Sequence, residues 1–228
     1  MKLLILLGPQ GSGNHLFSKI FALHPDVHGW KEHFDENYPD HYFIPHYKEP
    51  TNKFWNNIDK IDASIMNGKQ YACSSVSIPY ITGGMPKVPP VFEFINKCES
   101  LGIETQPVII GRDRNILSHQ QTRLRGGPSW GFVPQVLRWF KIPPFFVSQE
   151  LLYLYRRQYV RAIGHWLRFP VAYDHPLIDE ILKEDANEKY VSAINQPTDL
   201  DKALLGTMPW PDWYDRNDGD DYNPMSPL

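Results

Sequence analysis

Cysteine is scarce in this chain: two residues in 228, Cys73 and Cys98, with no Cys-x-x-Cys between them. That argues against a disulfide framework and a cysteine-built zinc site, and it points to a reducing compartment. Long apolar runs are missing too. The opening stretch from Met1 to Leu7 stops at Gly8, too short for a signal-peptide core and without a small-residue cleavage site. Nothing approaches the roughly 18 apolar residues of a membrane span, so a cytoplasmic location is expected. Net charge is only −3, which argues against a general nucleic-acid or membrane-surface binder. Nine histidines form no His-Glu-x-x-His or other compact ligand set, so no metal is expected. A Ser-His-Asp hydrolase would need a Gly-x-Ser-x-Gly elbow, and Pro9 and Asn14 break that pattern around Gly11-Ser12-Gly13.

What is present is a globular composition, 42% hydrophobic and 21% charged, with a surplus of proline (21 residues) and aromatics (14%) that suggests long, partly rigid loops. One domain is expected over 1–209, followed by an acidic, extended tail over 210–228. Charge is uneven. Residues 112–168 hold ten Lys/Arg against two acids, which leaves the rest of the chain strongly acidic. A basic middle in an acidic chain reads as a local anion site, with a solvated basic face as the alternative.

The apolar run Lys2–Leu7, ended by Gly8-Pro9, reads as a buried strand. Leu16, Ile20 and Leu23 then recur at helical spacing, giving a helix over 14–23 that stops before Pro25. Further strands are expected at 71–77, 107–110 and 169–173, and helices at 91–100, 115–124, 151–167 and 177–183. In the longest helix the apolar stripe is Leu152, Tyr155, Tyr159, Ile163 and Trp166; Arg156, Arg157 and Arg161 read as its solvent face, with contact to the donor or an anionic acceptor as the alternative. Residues 126–148, rich in proline and aromatics, read as an irregular excursion, a lid or acceptor loop. Alternating strands and helices predict an α/β fold with a central parallel sheet of the P-loop type, its ligands at the carboxyl ends of the strands.

Between the first strand and helix lies Gly8-Pro9-Gln10-Gly11-Ser12-Gly13-Asn14-His15. Glycines let several backbone N–H groups turn inward, and a helix start adds positive potential, a combination that cradles phosphate. The spacing opens like a Walker loop, but Asn14 and His15 stand where Lys and Ser/Thr would reach the outer phosphates and magnesium. A phosphate-bearing donor that needs no magnesium fits better than ATP or GTP.

These residues resemble the sulfotransferase family, whose donor is 3′-phosphoadenosine 5′-phosphosulfate (PAPS). Ser12-Gly13 matches the Ser-Gly pair of its first motif, and Asn14 and His15 replace two threonines. Gly11 stands where the family carries Lys or Arg, and Lys31 is one candidate for that charge. The stretch His24-Pro25-Asp26-Val27, followed by Glu32, is similar to the tyrosylprotein and heparan branches. The resemblance there implies Glu32 as general base, with His33 as the fallback. Ile110-Gly111-Arg112 with Ser118 resembles the 3′-phosphate site; Arg114 with Thr122 is the alternative pairing. The resemblance thus implies donor contacts from Gln10, Gly11, Ser12, Gly13, Asn14, His15, Arg112 and Ser118, and PAP as product. The acceptor would be a small-molecule or glycan hydroxyl, or an amine. Phe169–Asp174 is similar to a late structural strand of the family. Two other readings stay open: a sulfotransferase-like binding protein without turnover, and a degenerate P-loop kinase.

Overall fold

The computed structural model describes residues 1–30, 51–82, 85–125, 130–138, 140 and 143–183. These lie in one compact unit, Met1–Glu184. Its centre is a five-stranded sheet made of β1 (Lys2–Pro9), β2 (Val27–His28), β3 (Tyr71–Ile78), β6 (Glu104–Gly111) and β7 (Phe145–Ser148). The spatial order is β2-β3-β1-β6-β7 and every pairing is parallel. A separate antiparallel hairpin pairs β4 (Tyr80–Thr82) with β5 (Met85–Lys87). The helices are α1 (Asn14–Phe21), α2 (Asn52–Trp55), α3 (Val91–Ser100), α4 (Arg114–Arg125), α5 (Val133–Leu137), α6 (Gln149–Leu167) and α7 (Leu177–Lys183). The α/β class with a parallel sheet flanked by helices is therefore as expected.

The sheet is covered on both faces, which is why β1 reads as an unbroken apolar run. Leu3 through Leu7 are all fully buried. Leu4 and Leu6 pack toward α1, α6 and α7 with Phe17, Ile20, Leu152, Ile163 and Ile178. Leu3, Ile5 and Leu7 face the opposite layer, with Trp55, Phe94, Ile65 and Val136. On that second face Trp55 stacks on Phe94 at 3.9 Å between centroids, and its Nε1 donates to Ser74 Oγ at 2.9 Å. Thr51 Oγ1 donates to the same hydroxyl at 2.8 Å. One serine on β3 thus satisfies two polar groups that α2 brings into the core.

Three sequence expectations are corrected. The excursion over 126–148 is not wholly irregular: Pro143-Pro144 ends a loop, and Phe145–Ser148 forms the edge strand β7. Residues 169–173 form no strand. Arg168 adopts a left-handed conformation that closes α6, Phe169 N–H donates to Gly164 O at 2.9 Å, and the Phe169 ring packs edge-on against Phe21 and Tyr71. Its apolar character serves side-chain packing rather than a ladder. In α6 the stripe is displaced. Tyr155 and Trp166 are exposed, while Val160 and Leu167 are buried. Arg156 breaks the helix with φ 45° and ψ −122°, so the two halves do not share one helical phase. Arg156 and Arg161 are solvent-facing as expected; Arg157 pairs with Asp179 of α7, Nη2 to Oδ2 at 2.6 Å. That pairing holds the Asp179 carboxyl below its usual range. Among the described residues no helix is long and apolar enough to cross a membrane.

Both thiols are buried and neither is in a disulfide; Cys73 Sγ lies 3.3 Å from Ser18 Oγ. Desolvation, reinforced by the Glu99 carboxylate, pushes the Cys98 thiol up to about 12. Native protein is therefore expected to resist alkylation of Cys98 at pH 8 and to label fully in denaturant, as mass spectrometry of the modified chain would show. Because the folded thiol holds its proton more tightly than the unfolded one, its contribution to stability is complete below pH 9. That contribution falls as pH rises toward about 12.

Candidate functional site

Parallel pairing puts the carboxyl ends of β1, β3, β6 and β7 along one edge, with Pro9 opposite Ile78 and Gly111 opposite Ser148. Among the described residues, three helices start there. α4 is capped by Asp113, whose Oδ1 accepts from Asn115 N–H at 2.9 Å and Ile116 N–H at 3.0 Å. α6 is capped by Ser148, whose Oγ accepts from Leu151 N–H at 3.3 Å. α1 begins on Gly13 with no side-chain cap among the described residues. A helix start leaves backbone N–H groups without intrahelical partners, and the N-cap residue here, Gly13, has no side chain to supply an acceptor.

The loop leading into α1 is built as the glycines suggest. Gly11 and Gly13 take φ 89° and 102°, which side-chain-bearing residues adopt only with strain. Ser12 N–H donates to Pro9 O at 3.0 Å, closing the turn. Gly8 sits where the loop doubles back: a Cβ there would overlap Ser12 Oγ and stand 2.8 Å from Asn14 Oδ1.

Asn14 explains how the loop holds shape without a lysine. It is buried, and its Nδ2 donates to Gly8 O and to Ser77 Oγ, each at 3.2 Å, while its Oδ1 accepts from Ser12 Oγ at 3.2 Å. The side chain ties the loop to the ends of β1 and β3, turned inward rather than extended as a phosphate-reaching lysine would be. Asn14→Ala is expected to destabilise the protein by about 1–3 kcal/mol in denaturant unfolding, because buried partners are left unpaired. Asn14→Asp is expected to cost more at pH 7, since its charge would face the Gly8 carbonyl.

Sequence reasoning placed Arg112 at a strand end, and the structure brings it to the loop. From the end of β6 its Nη1 donates to Gly11 O at 2.5 Å, a charge-assisted bond across the sheet edge. A guanidinium therefore stands at the position where the loop itself carries only glycine. Ser118 lies in the second turn of α4, half-buried. Gln10 is pinned on both sides. Its Nε2 donates to Pro79 O at 3.2 Å, and its backbone carbonyl accepts from Gln121 Nε2 at 2.6 Å. The His15 ring lies 5.3 Å from that of the fully buried Trp30, over which Lys19 Nζ stands at 5.8 Å. Lys31, Glu32 and His33 lie outside the described residues, as does the side chain of Thr122, so the described part of the site is the 8–15 loop and the residues around it.

Gln121, Gln149 and Glu150 were not foreseen. Glu150 Oε1 accepts from Asp113 N–H at 2.7 Å, joining the β6 and β7 edges. Glutamines and glutamates inside helices carry no sequence signal; burial against the loop marks Gln121 and Gln149, and contact with Asp113 marks the exposed Glu150. Of the excursion's aromatics, Phe132 and Phe140 pack on the second core and Phe145 on the first, while Phe146 is exposed. A cavity of about 530 Å³ lies beside α3, lined by Pro90, Phe92, Ile95, Pro107, Val136 and Phe140, and no loop residue borders it.

Comparison of the chain with protein families, curated proteins and solved structures returns no match.

Proposed function

We propose that the chain is a PAPS-dependent sulfotransferase acting on a hydroxyl or amine acceptor. One observation carries the reading: α1 starts uncapped on a glycine loop that has no lysine of its own, and Arg112 reaches that loop from the neighbouring strand. The backbone N–H groups and the helix start suit a phosphosulfate, and Arg112 adds the positive charge that Gly11 lacks. In the transfer, the acceptor oxygen attacks sulfur while the bond from sulfur to the 5′-phosphate oxygen breaks. PAP leaves with that electron pair, and the acceptor proton passes to Glu32, or to His33 in its place. Alignment and charge stabilisation dominate such a reaction, so removing one cation would lower the rate by roughly 10²–10³ without abolishing it. No metal enters the scheme.

The test is PAP release from PAPS across sugars, phenols, tyrosine peptides and lipid alcohols. Turnover with at least one acceptor is expected. Glu32→Gln is expected to lower it about 10²-fold or more with PAP affinity unchanged. The second reading, a donor-binding protein without turnover, is favoured by Gly11; tight PAPS binding with no acceptor sulfated would select it.

A further inference from the structure

Gln149 has no part in the reading above, yet it touches the loop. It is the first residue of α6, directly after the Ser148 cap, and it is almost wholly buried at 3% exposure. Its side chain crosses from the β7 edge to the start of α1. From the position a Cβ would occupy on Gly13, Gln149 Cδ is 3.3 Å away and Oε1 3.5 Å away. That oxygen is shielded from solvent and has no hydrogen-bond partner among the described residues. A buried carbonyl oxygen without a donor is costly, and native structures keep few of them without a reason. Here it stands beside the start of α1, which, among the described helix starts on this edge, is the one whose N-cap residue has no side chain.

The chemistry of the oxygen selects its partner. It only accepts hydrogen bonds, and an ionised phosphate seated at α1 has no proton to give. A ligand seated there can satisfy it only with an O–H or N–H carried by whatever the phosphate is attached to. We propose that Gln149 is a ligand-selecting residue of the loop site, its buried carboxamide oxygen accepting a hydrogen bond from the nucleoside part of a phosphorylated ligand. The inference rests on the reading that the loop holds a phosphate, though not on the sulfuryl group. An inorganic anion leaves the oxygen unsatisfied, whereas a nucleotide satisfies it.

Calorimetry on the full chain tests this with three probes, PAP, ADP and inorganic pyrophosphate, on the wild type and Gln149→Leu. Leucine is close in size and has no polar atom. The variant is expected to bind PAP roughly five- to tenfold more weakly, with pyrophosphate affinity within about twofold of wild type. Its melting temperature without ligand should be equal or higher, because an unsatisfied buried group has been removed. An equal loss for PAP and pyrophosphate would overturn the proposal, since it would place the amide N–H on the anion. Unchanged PAP affinity, or a lower melting temperature without ligand, would also overturn it. If the wild type binds ADP and pyrophosphate but not PAP, and Gln149→Leu weakens ADP alone, the sulfotransferase reading falls while the role of Gln149 stands. If the wild type binds none of the three, both fall.

Discussion

Gly8→Ala is expected to lower the melting temperature by about 2–12 °C and to abolish PAP binding. The new methyl group would overlap Ser12 Oγ and stand 2.8 Å from Asn14 Oδ1 and 3.0 Å from the backbone carbonyl of Ile110. Ser12 could rotate away, but only by giving up its bond to Asn14, and the Ile110 carbonyl belongs to a central strand. Overpacking of this kind costs about 1–3 kcal/mol, and at this chain length each kcal/mol corresponds to roughly 2–4 °C. Relief would come from lifting the loop off β1, which would disturb the loop geometry on which the proposed phosphate site depends. Gly68→Ala is the matched control. Gly68 also has positive φ, at 72°, but a Cβ there meets nothing within 4 Å. It should cost only the backbone strain of about 1–2 kcal/mol and leave PAP affinity intact. Differential scanning calorimetry and a PAP titration on both variants separate loop geometry from general loss of stability.

Arg112→Ala is expected to weaken PAP binding by roughly 10- to 100-fold, the range for loss of a charged hydrogen-bonding partner. The resemblance assigns Arg112 to the 3′-phosphate, whereas its contact with Gly11 O sets the guanidinium at the loop. Adenosine 5′-monophosphate, which lacks the 3′-phosphate, distinguishes the two. If the charge serves the loop, both nucleotides lose affinity by similar factors. If it serves the 3′-phosphate, only PAP does. The loop contact leads us to expect the shared loss. Arg112→Lys should recover little of it, because a lysine has no planar fork with which to hold Gly11 O and an anion together.

Much of this site was legible because it depends on backbone geometry. A strand, glycines at the two positions that need positive φ, and a helix at 3.6-residue spacing can be read from the letters between Lys2 and Leu23. The parallel sheet follows from the alternation of elements. Two things were hidden for physical reasons. Phe145–Ser148 is short, follows two prolines and sits in a proline-rich segment, so its local pattern resembles a loop; only pairing with β6 makes it a strand. Phe169 has the apolar content of a strand but is used to pack on Phe21 and Tyr71. At the site, Asn14 first reads as a missing lysine, whereas the fold makes it the fastening of the loop to β1 and β3. Gln121 and Gln149 could not be read at all. Their roles come from tertiary placement of ordinary helical residues against loop atoms distant in sequence.

The central claim is that the loop binds a phosphorylated donor without metal, and titration of PAP into the protein by calorimetry, with Mg-ATP as competitor, tests it most directly. The account predicts micromolar binding, unaffected by magnesium, not displaced by Mg-ATP, and sharply weakened in Arg112→Ala. Absence of PAP binding, or displacement of PAP by Mg-ATP, would contradict it and assign the loop to different chemistry.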